Sequence, residues 1–134
     1  MNKRIYETMH LSDEKLQKLL FILILILGIG ARLWMFGDVP GGINQDEAFA
    51  AREAWSLLHY GKDSFGYSYP MYLTAWGSGM NALNTYLMMP FIALFGRHTW
   101  VFRLPQMLIG ILSLFAIEEI VGKVSNWKCS LLAM

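Results

Sequence analysis

Leu19 to Phe36 reads LLFILILILGIGARLWMF, and the character of this run decides what kind of protein the rest of the chain builds. At a rise of about 1.5 Å per residue it is long enough to cross the hydrocarbon of a bilayer, with Arg32 reaching toward the nearer interface. Lys3, Arg4, Lys15 and Lys18 precede it. Positive charge before a first span places the amino terminus in the cytoplasm, so residues 1–18 are expected inside and the chain after Phe36 outside. No small-residue cleavage site follows the run, which is therefore expected to stay as an anchor.

Composition agrees with a membrane protein. Of 134 residues 55% are hydrophobic and 16% charged, the mean hydropathy is +0.38, and the apolar residues gather into long runs rather than spreading evenly. Eleven bases against ten acids leave a net charge of +1, which gives no basic stripe for a nucleic acid. The lone Cys129 has no partner for an intramolecular disulfide and no metal-ligand spacing around it, and it reads as inert. Cys129 to Met134 opens another apolar segment, so the natural protein is expected to continue past it.

Outward of the first span, Gly37-Asp38-Val39-Pro40-Gly41-Gly42 is a turn cluster. Asn44 is placed to cap a helix over Gln45 to Tyr60, which Gly61-Lys62-Asp63 ends. Met71 to Phe95 carries no charged residue, and its Thr74, Ser78, Asn81 and Thr85 recur every three or four positions opposite Tyr72, Leu73, Trp76, Met80, Leu83 and Leu87. That pattern predicts a helix lying in the membrane interface, with Pro90 kinking its far end. A spanning helix that hides the stripe against neighbours is the alternative, and the count of Lys and Arg does not distinguish the two. The second transmembrane helix is expected at 103–122, with Pro105 in its first turn, leaving 37–102 as an external loop and 123–134 as a cytoplasmic turn and the start of a third span. Glu118 and Glu119 then lie near a helix end, within reach of the headgroups.

Asn44-Gln45-Asp46-Glu47 sets two adjacent carboxylates at a helix start just beyond the first span. Acids in a first helical turn complement the macrodipole and often do nothing else. Here they sit at a membrane surface beside a Gly-Gly turn that lets a backbone approach closely, and Arg52 follows about 1.5 turns on, so an anionic phosphate and a hydroxyl acceptor have groups to meet.

Gly42-Ile43-Asn44-Gln45-Asp46-Glu47-Ala48, then Tyr69-Pro70-Met71-Tyr72, then Gly96 and Arg103-Leu104-Pro105 with Gly110, resemble in order and spacing the opening module of the GT-C membrane glycosyltransferases. The likeness is to the branch of protein O-mannosyltransferases and lipid A aminoarabinose transferases, and it runs from the first span to near Lys128. It implies an all-α integral membrane fold with two juxtamembrane helices in the first external loop, here 45–60 and 71–95. It also implies inverting transfer of a sugar from a polyprenyl phosphate to a hydroxyl of a protein, lipid or glycan, at the external face of a bacterial plasma membrane. Asp46 inherits the catalytic role, with its carboxylate removing the acceptor proton, and Glu47 a supporting one. Arg103, with Arg52, is the candidate for the donor phosphate, although a snorkelling arginine that anchors a helix end has the same sequence. Parts of the superfamily use a divalent metal, for which Asp46 is the candidate ligand.

Trp34, Trp55, Trp76 and Trp100 read as interfacial belt residues more readily than as sugar platforms, and His59 and His98 as interfacial polar residues. The complete family has more spans and a second acid in a later external loop, so this chain alone is expected to be inactive. Two other classes fit the composition. A transporter would use the polar stripe and Glu118-Glu119 to line a path, and a membrane scaffold would only pack its helices against partners.

Overall fold

The computed structural model describes residues 3–134, with side chains from residue 14 onward. Lys3 and Arg4, named in the charge count, therefore lie outside the described side chains. The chain is mostly helical: α1 (Lys3–Leu33), α2 (Gln45–Tyr60), β1 (Tyr72–Ala75), β2 (Ser78–Asn81), α3 (Leu83–Phe95), α4 (Thr99–Val124) and α5 (Trp127–Ala133). It divides into two compact units, Met35–Leu108 in one, and Ile109–Met134 with the chain up to Trp34 in the other.

In the second of these units α1 begins well before the predicted span, because Leu, Glu, Lys and Gln are good helix formers and no Gly or Pro interrupts them before Gly28. It ends at Leu33 rather than Phe36, and Met35 turns the chain with a φ of 49°. Among the described residues one helix, Glu14–Leu33, is long and apolar enough to cross a membrane, and none of its apolar window is buried. Such length and composition belong both to membrane spans and to amino-terminal signal sequences. The predicted second span lies within α4, which continues to Val124.

α1 and α4 approach each other where side chains are small. A Cβ on Gly28 would lie 2.9 Å from Leu114 Cδ1, and one on Gly110 3.2 Å from Arg32 Nε. Phe21 meets Phe115 edge to face at 6.4 Å. Arg32 does not simply extend outward as expected, since its Nη1 donates to the Gly28 carbonyl 3.1 Å away.

The other unit is built on α2. Asn44 caps it as the sequence predicts, its side chain accepting from Glu47 N at 2.8 Å, and Gly61 closes it in the left-handed region with φ 65°. Ala50, Ala51 and Ala54 form one face, against which Met88 and Ile92 of α3 and Val101 and Phe102 of α4 pack.

Between α2 and α3 the expected helix over 71–95 is corrected. Only Leu83–Phe95 is helical, and before it Tyr72–Ala75 pairs antiparallel with Ser78–Asn81 in the register Tyr72↔Asn81, Leu73↔Met80. Gly77 and Gly79 each cost a helix about 1 kcal/mol, whereas the Trp76-Gly77 turn, with φ of 44° and 75°, closes a tight hairpin. Leu73 and Ala75 are buried between exposed Tyr72 and half-buried Thr74, a period of two. The polar positions taken for one helical stripe therefore separate: Asn81 Oδ1 accepts from Leu83 N at 2.8 Å to start α3, and Thr85 is buried. Pro105 is likewise inside α4 rather than in its first turn, because the helix already starts at Thr99, with His98 O accepting from Val101 N at 2.9 Å.

Two buried acids hold the segment that leads into this hairpin. Glu53, fully buried on α2, accepts from Ser64 N at 2.7 Å and from the Ser64 hydroxyl. Asp63 Oδ1 accepts from Phe65 N at 3.0 Å and Tyr67 N at 2.8 Å. Tyr86 of α3 donates to Pro70 O at 2.7 Å, and burial first, then Tyr69 and Asp63, push its phenol above the usual tyrosine range, so it remains a donor. Replacing Glu53 by Ala leaves the Ser64 amide without its acceptor; a loss of about 1 to 3 kcal/mol is expected. Hydrogen exchange should show the Ser64 to Tyr67 amides opening faster while those of α1 are unchanged.

Candidate functional site

The turn cluster and the acidic motif meet on one side chain. Arg103, in the second turn of α4, donates from Nε to Glu47 Oε1 at 2.7 Å and from Nη2 to Glu47 Oε2 at 3.2 Å. The same guanidinium donates from Nη1 to Gly37 O at 3.0 Å and from Nη2 to Gly42 O at 2.7 Å. The two ends of the turn cluster and the first turn of α2 are thereby tied to α4, with the Arg103 and Glu47 side chains only 13% and 14% exposed. A planar fork suits this task, because it serves a carboxylate with two parallel bonds and still has N–H groups for carbonyls. Gly37 is required beside it. Its φ is 94°, its carbonyl is one of the acceptors, and a Cβ there would lie 2.7 Å from Trp100 Cβ.

Asp46 and Glu47, neighbours in sequence, are thus in different situations. Glu47 is half-buried and engaged through both oxygens. Asp46 is exposed in the first turn of α2 and has no hydrogen-bond or ion-pair partner among the described residues. Its carboxylate is available to a molecule from outside. Arg52 stands about 9 Å further along the helix and about a third of a turn round it, so it serves a neighbouring face rather than the same point.

Arg52 instead lines a cleft of about 330 Å³ with Ile43, Ala48, Ala51, Arg97 and Phe102. Arg97 had no signal in the sequence beyond its place after the α3 cap, Gly96; its guanidinium lies 4.5 Å over the ring of Trp55. The Trp55 ring in turn lies 3.5 Å from that of His59, tilted by 30°. Trp76 packs on Phe49 at 5.3 Å and Trp100 on Phe95 at 5.5 Å, both remaining partly exposed, while Trp34 is 78% exposed. His98 stacks on Trp100 with the ring planes 6° apart.

Among the described residues no three of His, Cys, Asp or Glu gather where they can hold one ion, and Glu47, the acid beside Asp46, is already bound to Arg103. Glu53 and Asp63, both buried, are used within the fold. Glu53 had a legible signal, being an acid three residues on from Ala50 and four before Leu57 on the apolar face of α2.

Compared with models of protein families, with curated proteins and with solved structures, this chain matches none. The motifs and the geometry above are what the functional reading stands on.

A double-mutant cycle on Glu47→Ala and Arg103→Ala tests the clamp. A coupling of about 1 to 3 kcal/mol is expected from thermal unfolding in micelles, since the pair shares two bonds away from bulk water. Arg103→Lys should recover little of it, because an ammonium cannot serve the carboxylate and both carbonyls together. Additive losses would mean that the two residues act separately.

Proposed function

We propose that this chain carries part of the active site of an integral membrane glycosyltransferase that moves a sugar from a polyprenyl phosphate to a hydroxyl acceptor at the external membrane face. The observation that carries the reading is the division of the acidic pair: Glu47 is consumed by Arg103, and Asp46 is left free beside it.

In this reading Asp46 is the general base. Its carboxylate takes the proton of the acceptor hydroxyl as that oxygen attacks the anomeric carbon, the bond from that carbon to the phosphate oxygen breaks, and polyprenyl phosphate leaves with the electron pair. Configuration at the sugar inverts. The Asn44 cap fixes the helix start from which Asp46 projects, and Arg103 is a positioning residue that acts through Glu47 and the turn carbonyls. The donor phosphate then needs a cation other than Arg103, and Arg52, exposed and without a partner among the described residues, supplies one.

The membrane topology belongs to the same proposal. α1 crosses as an anchor with its apolar side chains against lipid, the segment within α4 crosses back, and 37–102 is external. Exposed Leu19, Ile26 and Leu27 on α1, each more than 60% exposed, support the first crossing. With Cys129 replaced by Ala, single cysteines placed near Asp46 and near Arg97 should both react with a membrane-impermeant thiol reagent from outside; reaction from opposite sides would overturn this topology.

Activity is tested in membranes containing the natural full-length protein and a polyprenyl-phosphate sugar. Asp46→Asn is expected to lower transfer by about 100-fold or more, the scale of a lost general base, with the amount of protein in the membrane unchanged. Turnover within a few-fold of the unaltered enzyme would reduce Asp46 to a first-turn acid that complements the helix dipole.

A further inference from the structure

We propose that the cleft lined by Arg52 and Arg97 is an anion site that takes the phosphate group of a lipid phosphate, with Arg97 as a ligand that the sequence motifs do not mark. Two cationic side chains reach one cleft, from α2 and from the link between α3 and α4, and no acid lines it. Neither arginine has an ion pair or a hydrogen-bond partner among the described residues, although Asp46 and Glu47 lie on the same helix as Arg52. Arg103 shows the opposite case in the same unit, with its N–H groups distributed over a carboxylate and two carbonyls. Among the described residues no acid compensates the positive charge in the cleft.

Arg97 is also held in place. Trp55 supports the face of its guanidinium at 4.5 Å, which restricts the side chain while leaving the N–H edge free to donate in the ring plane. An ordered fork loses less freedom on binding than a loose one, and phosphate oxygens match its geometry. The remaining lining, Ile43, Ala48, Ala51 and Phe102, is apolar and uncharged, and suits the first carbons of a lipid chain next to the phosphate. At about 330 Å³ the cleft is at the lower end of ligand pockets, enough for a headgroup and not for a whole lipid.

This site deepens the transferase reading and rests on it only for the identification of the ligand as the sugar carrier; the capture of a lipid phosphate stands on the cleft itself. The test measures binding of farnesyl phosphate, farnesol and inorganic phosphate to the full-length protein in nanodiscs made of uncharged lipid. Farnesyl phosphate should bind, and farnesol should bind at least about tenfold more weakly, since it lacks the charge that the arginines meet. Arg97→Gln and Arg52→Gln should each weaken farnesyl phosphate by about tenfold and the double variant by about a hundredfold. Arg97→Lys should fall between, and the helical circular dichroism and melting temperature of each variant should match those of the unaltered protein.

Inorganic phosphate that competes as tightly as farnesyl phosphate would assign the same arginines to a free anion and overturn the lipid part of the proposal. Unchanged farnesyl phosphate binding in the double variant would overturn the site. If binding depends on both arginines and no sugar is transferred even by the unaltered protein, the cleft stands and the transferase reading fails.

Discussion

One guanidinium organises the unit around the acidic motif. Arg103 reaches from α4 to Glu47 at the start of α2 and to the carbonyls of Gly37 and Gly42 at the two ends of the connecting turn. Without it, the turn cluster would be a run of glycines and a proline with few side chains to fix it, and the start of α2 would be set by the Asn44 cap alone. A half-buried pair of this kind is strong only when its geometry is complete, because removing either partner leaves a desolvated charge. Both carboxylate oxygens and both ends of the fork are used here. The position of Asp46 therefore depends on a residue more than fifty positions away in the sequence.

Much of this was legible in the sequence, and the reasons differ from element to element. The cap at Asn44, the helix from Gln45 to Tyr60 and its end at Gly61 are local chemistry: a side-chain acceptor, an apolar period and a residue that tolerates φ of 65°. Such signals lie within a few residues of one another and need no tertiary information. The hairpin at Tyr72 to Asn81 was missed because a polar residue every third or fourth place fits a helix as well as it fits two short strands joined by a turn. The glycines at 77 and 79 were the discriminating feature. Pro105 misled for a related reason, since proline is favoured in a first turn and here lies deeper, in a helix that had already begun at Thr99.

The acidic pair was legible as a pair and illegible as a division of roles. Sequence places Asp46 and Glu47 side by side; only the fold brings a distant arginine to one of them. Arg103 suits a phosphate by its type and place, and the fold engages four of its five N–H groups with Glu47 and the Gly37 and Gly42 carbonyls. Arg52 and Arg97 are the converse, two cations on different elements that share a cleft without an acid. Contacts across such sequence separations carry no periodic trace, which is why Arg97, unlike Glu53 on its apolar helix face, could not have been singled out beforehand.

Arg32 has a consequence for how the chain is made. Its hydrogen bond to the Gly28 carbonyl is internal to α1, whereas its packing over Gly110 involves residues synthesised much later. A helix leaving the ribosome thus already contains an acceptor for its own cation, one turn back, before α4 has been translated. Gly110 can then close over an arginine whose cation already has an acceptor within its own helix.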